Sequence, residues 1–186
     1  MREITYFVHT SLDGCVEGPD GEFDWPVMGP ELSGYSRELT ARHGEFAYGR
    51  RVWDMMSGFW PTAESVSDDP HDVAFAPVWR ETPKIVFSRT LEQAGWNTRV
   101  VGGDLRETVA ALKAEPGKDV LLMGGAELAA ELTARGLIDE YLVVVHPVVL
   151  GGGKRPFAEG TARLGLELVE SRTFDGRVVL LRFRRA

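Results

Sequence analysis

This 186-residue chain has one cysteine, Cys15. A single thiol excludes an intramolecular disulfide, and it excludes a structural zinc site built from several cysteines. Positive charge is scarce as well: 21 Lys and Arg stand against 28 Asp and Glu, for a formal net charge of −7. Phosphate backbones and anionic membranes attract basic faces, so neither nucleic acid nor a membrane surface is the expected partner. No hydrophobic run is long. The most apolar stretch, Tyr141–Leu150, is broken by His146 and Pro147 and falls well short of the roughly 20 residues that span a bilayer. The start of the chain, Met1-Arg2-Glu3-Ile4-Thr5-Tyr6, has no apolar signal segment, and the expected location is cytoplasmic. Gly-x-Gly-x-x-Gly is missing, and so is His-Glu-x-x-His. No metal site is expected, and a metal-dependent hydrolase finds no ligand set. Repeats and low-complexity linkers are lacking too, which points to one domain over residues 1–186.

The composition is 44% hydrophobic and 26% charged, ordinary for a packed globular domain and far from the disordered range. Ile4–Thr10 reads as a strand, rich in β-branched and aromatic residues. Leu12–Gly21 holds Gly14, Gly18, Pro19 and Gly21 and reads as a loop. Glu31–His43 is a helix with Leu32, Tyr35 and Leu39 on one stripe. Glu45–Tyr48 is a short strand, Arg50–Met56 a helix, and Pro61–Pro70 a long surface loop. Lys84–Phe87 is a strand. Asp104 caps a helix that runs to Glu115. Val120–Met123 is a strand, Ala126–Arg135 a helix stopped by Gly136, and Glu140–Val149 a strand. Leu164–Thr173 and Arg177–Arg184 form a hairpin around Asp175-Gly176. Alternation of strands and helices over most of the chain predicts a three-layer α/β domain. Its mainly parallel sheet has helices on both faces, with an antiparallel hairpin added at the C-terminal end.

Three strand ends share a feature. Glu45–Tyr48 runs into Gly49-Arg50-Arg51, Lys84–Phe87 into Ser88-Arg89-Thr90, and Val120–Met123 into Gly124-Gly125. Ligands of open α/β sheets bind outside the carboxyl ends of the strands. Glycine admits close backbone approach, a helix start offers free N–H groups, and arginine adds a bidentate phosphate partner. The three junctions therefore suit a dinucleotide. Taken singly, each has a plain alternative: Gly124-Gly125 as a tight turn, Arg50 and Arg51 as solvated helix residues, Ser88 as a turn cap.

Four segments occur in order: Ser11-Leu12-Asp13-Gly14, Tyr48-Gly49-Arg50-Arg51-Val52-Trp53, Lys84-Ile85-Val86-Phe87-Ser88-Arg89 and Leu122-Met123-Gly124-Gly125-Ala126-Glu127-Leu128. With His146-Pro147-Val148-Val149-Leu150-Gly151-Gly152-Gly153 they resemble the dihydrofolate-reductase superfamily over nearly the whole chain. Within it, they are most similar to stand-alone proteins related to the reductase domain of riboflavin biosynthesis. The resemblance implies a dihydrofolate-reductase-like fold that takes hydride from NADPH. It implies that Gly49, Arg50, Arg51 and Val52 lie along the cofactor's phosphates, that Ser88 and Arg89 flank the adenosine 2′-phosphate, and that Gly124, Gly125, Ala126, Glu127 and Leu128 wrap the pyrophosphate. Leu12–Trp25 becomes the loop that closes on the nicotinamide. The zinc deaminase part of the bifunctional riboflavin enzyme has no counterpart in this sequence, so the resemblance covers the reductase half.

The implied activity is an NADPH-dependent reduction of a small heterocycle, pyrimidine- or pterin-like, or of a carbonyl compound. The relevant reductases act on 5-amino-6-(5-phosphoribosylamino)uracil or on dihydrofolate. The rival reading is a non-catalytic dinucleotide-binding homodimer that keeps the fold. Folate reductases carry a pterin-binding carboxylate on the first helix. The matching stretch, Trp25-Pro26-Val27-Met28-Gly29-Pro30-Glu31, offers only Glu31, which counts against dihydrofolate. Asp13, Glu31 and His9 are the candidate proton donors. Asp13 reads equally as a turn former, and His9 as a half-exposed strand residue. Gly151-Gly152-Gly153-Lys154-Arg155 is a plain loop or a lip touching an anionic substrate. The apolar stretches Tyr141–Leu150 and Val178–Phe183 predict a homodimer.

Overall fold

The structure, a computed structural model, describes residues 1–157 and 162–186. One eight-stranded sheet runs through it, in the order β4-β3-β2-β5-β1-β6-β8-β7. Its strands are β1 (Ile4–Thr10), β2 (Glu45–Gly49), β3 (Lys84–Phe87), β4 (Thr98–Val101), β5 (Val120–Gly124), β6 (Glu140–Val145), β7 (Leu166–Phe174) and β8 (Val178–Arg185). All pairings from β4 across to β6 are parallel, and β8 pairs antiparallel with both β6 and β7. The expected mixed, mainly parallel sheet with a C-terminal hairpin is the one observed.

Helices cover both faces. They are α1 (Pro30–Arg42), α2 (Arg50–Phe59), the single turn α3 (Ala63–Val66), α4 (Pro70–Glu81), α5 (Leu105–Ala114) and α6 (Ala126–Ala134). One core joins Phe7, Val144 and Leu180 of the sheet to Leu32, Tyr35 and Leu39 of α1, Trp53 of α2, and Phe75 and Trp79 of α4. The other joins Ile4, Tyr6, Val8 and Leu122 to Val109 and Leu112 of α5 and Ala129 and Leu132 of α6. Alternate residues of β1 thus enter opposite cores, as the two-residue period of a strand requires. None of the described helices is long and apolar enough to cross a membrane.

Four sequence expectations need correction. Pro61–Pro70 is not a long loop: Trp60–Thr62 forms a 3₁₀ turn, and α3 follows. The segment after it is a helix, α4, where no periodic pattern predicts one. Its start is conventional, with Asp69 accepting the His71 N–H at 2.7 Å and Pro70 in the first turn. The interior Pro77 obscured it, because proline removes a helix N–H and seldom sits there. Strand β4 is a further element without a sequence signal; it has four residues, all half-buried at the edge of the sheet. Finally, β6 stops at Val145 rather than Val149. Pro147 has no N–H for a ladder, and the chain turns there, with Val148 N–H donating to the His146 carbonyl at 2.8 Å.

Candidate functional site

The sheet forks at one place. β1 pairs with β5 only through Ile4–Tyr6, yet it stays paired with β6 as far as Thr10. β5 meanwhile continues beside β2 to Gly124, with a register shift at Ala47/Tyr48 that leaves Met123 as the extra residue. The ends of β1 and β5 therefore part beyond Tyr6 and Leu122, with Phe7–Thr10 on one arm of the fork and Met123–Gly124 on the other. This lies at the carboxyl ends of parallel strands, where α/β sheets bind ligands.

On the β5 side two helices begin next to each other. Gly49 is the N-cap of α2 and Gly125 the N-cap of α6, and neither helix start has a side-chain cap. A β-carbon on Gly125 would lie 3.0 Å from the Gly49 nitrogen and 3.1 Å from its Cα. Gly125 also has φ +98, a conformation that disfavours any side chain. One β-carbon on Gly124 would meet Val52 Cγ1 at 2.7 Å. The pair of glycines thus lets two backbones touch and leaves two sets of helix N–H groups, each with a partial positive charge, without side-chain partners.

The nominated polar residues around this pinch differ in availability. Arg50 Nε donates to Asp54, one turn along α2, at 2.8 Å. Arg51 is largely exposed and lies 3.3 Å from Glu17. Glu127 is paired with Lys154 at 2.6 Å, and that ammonium holds its carboxyl below the usual range. Ser88 Oγ accepts the N–H groups of Leu91 at 3.0 Å and Thr90 at 3.3 Å. It caps the turn after β3 and presents Arg89, which is exposed. Val52 and Leu128 pack into the two cores behind their helix starts, and Ala126 opens the first turn of α6.

The loop after β1 is strapped to residues 148–154. Leu12 N–H donates to the Val148 carbonyl at 2.7 Å and Val16 N–H to that of Lys154 at 2.7 Å. Asp13 is turned into this strap, accepting the N–H groups of Leu150 at 3.1 Å and Gly151 at 2.9 Å. Bonds from the Ser11 hydroxyl first, and from the Leu150 amide next, pull its carboxyl down to about 2. Glu31 lies at the start of α1, exposed, with its carboxylate accepting the Asp175 N–H. Neither carboxylate is presented to the fork as a free acid.

His9 is at the fork. Its Nδ1 lies 2.8 Å from Nε2 of His146, just beyond the end of β6. Burial lowers both rings, His9 to about 3 with the neighbouring His146 as second cause, and His146 to about 4 with Arg177 as second cause. The pair is neutral at pH 7. Trp25 packs edge-on against His146 at 5.5 Å, and Phe23 against Trp25 at 5.7 Å. Sequence reasoning had passed over His146 and Trp25 as site residues. The one available signal was that the apolar run of β6 leads directly into His146; that His9 lies beside it depends on pairing that spacing cannot reveal.

The sequence matches the RibD C-terminal domain family over residues 2–180. The chain belongs to that family. YyaP of Bacillus subtilis (strain 168), an uncharacterized protein, is 34% identical over 182 residues, covering 96% of this chain and 93% of YyaP. This RibD C-terminal domain shares its fold with a Shewanella sp. PV-4 protein named for riboflavin biosynthesis, at TM-score 0.77 and 24% identity, over 100% of this chain and 99% of that one. It also shares the fold with dihydrofolate reductase from Enterococcus faecalis complexed with NADP(H), at TM-score 0.67 and 15% identity, over 98% and 96% of the two chains. The suspected kinship thus holds: the chain has the reductase fold of the RibD and dihydrofolate-reductase group.

Proposed function

We propose that this chain is an NADPH-dependent reductase of a small heterocyclic or carbonyl substrate, working in the fork between β1 and β5. The observation that carries the reading is the contact of Gly49 with Gly125. A β-carbon on Gly125 would press on the Gly49 backbone, and its absence leaves two helix starts side by side without side-chain caps. Such a cradle fits a pyrophosphate, because helix N–H groups and two aligned dipoles favour bound anions. Residues Gly49–Val52 and Gly124–Leu128 hold the phosphates, and Ser88, Arg89 and Arg51 meet the 2′-phosphate. Bound there, NADPH supplies hydride. The loop Leu12–Trp25, held by Asp13, would exclude water from the fork, and His9 is the titratable side chain that β1 brings to the fork.

Calorimetric titration with NADPH tests this. Gly49 has φ −75, so Gly49→Ala carries no backbone strain, and its methyl group, 3.4 Å from Gly125 Cα, would sit in ordinary contact between the two helix starts and occupy the space offered to the pyrophosphate. We expect a loss of about tenfold in NADPH affinity, the worth of about one charge-assisted bond, with little change in urea stability. Wild-type protein that fails to bind NADPH would falsify the reading. A second reading, a dinucleotide-binding protein without catalysis, is favoured by one observation: Asp13 and Glu31 both spend their carboxylates on backbone N–H groups. NADPH bound tightly but never oxidised across a panel of pyrimidines, pterins and carbonyl compounds would select it.

A further inference from the structure

Two hydrogen-bonding groups at the fork are left over by the fold. The indole Nε1 of Trp25 is buried and has no hydrogen-bond partner among the described residues. Buried donors are almost always satisfied in native proteins, so an orphan one calls for an acceptor from outside. The other group is Nε2 of His9. Nδ1 is taken by His146, and Nε2 is the ring's one remaining polar atom. His146 itself is only 2% exposed, and its backbone N–H donates to the Thr10 carbonyl at 2.8 Å. Trp25 packs on that same ring, so the indole and both imidazoles form one connected wall.

The wall bonds but does not carry charge. One proton is shared in the His9–His146 bond. When His146 donates it, His9 Nε2 is a donor; when His9 donates it, Nε2 is an acceptor. His71, which acts on His9 from α4, is also held below its usual value by burial. The carboxylates of Asp13 and Glu31 are turned to backbone amides. Phe7, at 5.0 Å from His9, adds an aromatic flank. Asp69 and Asp72 act on His71, but among the described residues no carboxylate acts on His9 or His146, so a cationic ring would find no counter-charge beside them, whereas an uncharged ring with an oxo group beside an N–H would meet a fixed donor and a partner of either sense.

We infer that Trp25 and His9 determine which substrate this fork accepts, by reading the polar edge of an uncharged planar ring, and that His146 is the positioning residue that orients His9. The inference rests on the reductase reading for the existence of a substrate, and it adds the residues that choose it.

The test uses two probes of one size: uracil, which is neutral, and 2,4-diaminopyrimidine, titrated at pH 6 where it is a cation. Each is added to the whole protein with and without NADP⁺, following the Trp25 indole N–H resonance, which is assigned by its loss in Trp25→Phe. Uracil should shift that resonance and bind at least about tenfold tighter than the cation, as an uncompensated charge demands. His9→Ala should weaken uracil about tenfold and Trp25→Phe about fivefold, each a single hydrogen bond lost. His146→Ala should weaken it too, and His146→Gln, which can still donate to His9, should restore it. His9→Gln keeps a bond to His146 and controls for misfolding by holding the urea midpoint. The inference is overturned if uracil fails to bind at millimolar concentration, if the cation binds as tightly, or if uracil ignores both substitutions. NADP⁺ binding, measured in the same samples, reports on the reductase reading alone, so the two can fail separately.

Discussion

Glu31 and Asp175 grip each other across the start of the first helix. The Asp175 carboxylate accepts the N–H of Glu31 at 3.0 Å and that of Leu32 at 3.2 Å, while the Glu31 carboxylate accepts the N–H of Asp175. Helix α1 has glycine at its N-cap and no cap from its own side chain. A β-carbon on that residue, Gly29, would lie 2.3 Å from Asp175 Cγ. The hairpin turn between β7 and β8 therefore supplies the cap for a helix far away in sequence, and Gly29 makes room for it.

Asp175→Ala should destabilise the fold by about 1–2 kcal/mol, the usual worth of an N-cap side chain. Asp175 also has φ 53, which asparagine tolerates well. Asp175→Asn should accordingly recover part of the loss. Urea unfolding of the three proteins checks both statements, and an alanine variant as stable as wild type would remove the capping role.

Dihydrofolate should be a poor substrate. Pterin recognition needs a carboxylate free to pair with the ring, and Glu31, the one acid in the first turn of α1, is spent on the Asp175 amide. Turnover should stay well below about 1 per second, an ordinary enzymatic rate. Following NADPH oxidation with dihydrofolate decides it. Faster turnover, abolished in Glu31→Gln, would show that the Glu31–Asp175 contact opens.

Stability should fall between pH 7 and pH 5. The folded values of His9 and His146 are lowered to about 3 and about 4 from an ordinary 6.5. Below pH 6.5 the unfolded chain takes up protons that the folded one refuses. Stability is thus complete above that pH and is lost as pH drops towards the folded values. Each ring contributes about 2 kcal/mol of loss by pH 5, on the scale of 1.36 kcal/mol per pH unit. Urea midpoints at the two pH values, in wild type and in His9→Asn/His146→Gln, measure it. Equal wild-type midpoints would refute the neutral pair.

Local signals were legible in this sequence, and long-range contacts were not. Strands such as Ile4–Thr10 and Val120–Gly124 announce themselves by β-branched content, and Asp175-Gly176 by turn chemistry; both residues have positive φ. The junctions Gly49-Arg50 and Gly124-Gly125 could be read as strand-to-helix turns because glycine follows an apolar run directly. Helix α4 hid behind two prolines, and β4 was too short to show a period. Three relationships that shape the site, Gly49 with Gly125, His9 with His146 and Glu31 with Asp175, join residues separated by long stretches of chain. They exist only once the strand order is set, and no window along the sequence contains them.

The protein should be a homodimer through β7. This nine-residue strand closes the sheet on one side, and Leu168 and Val169 on it are 59% and 49% exposed. Edge strands of that length, with unpaired backbone groups and apolar side chains, are templates for pairing with another copy. Glu167 and Arg172 on the same strand would face each other in an antiparallel two-fold arrangement. Light scattering at micromolar concentration should give twice the monomer mass, and Leu168→Lys should give the monomer. A monomeric wild type would sink the prediction.

NADPH should bind in preference to NADH, and the arginines at two strand ends should carry the difference. The cofactors differ in the 2′-phosphate alone, which adds negative charge and several acceptor oxygens. Arg50 is the least available partner, since its Nε already meets both oxygens of Asp54. Arg51 is freer, with a side chain 69% exposed and one carboxylate, that of Glu17, 3.3 Å away. Arg89 is exposed beyond β3, on a turn that Ser88 Oγ fixes by accepting two backbone N–H groups. That leaves the Ser88 hydroxyl hydrogen to donate. An arginine fork can meet a phosphate through two bonds, but exposure at the rim screens the gain. Arg51→Ala or Arg89→Ala should therefore weaken NADPH by about tenfold, the low end for a charge-assisted pair, and leave NADH nearly unchanged. Glu17→Gln should act the other way, because it releases Arg51 from a competing carboxylate. Calorimetric titration of wild type and the three variants with both cofactors separates these effects. Equal affinity of the wild type for the two cofactors, or equal losses for both in each arginine variant, would mean that the strand-end arginines do not read the 2′-phosphate.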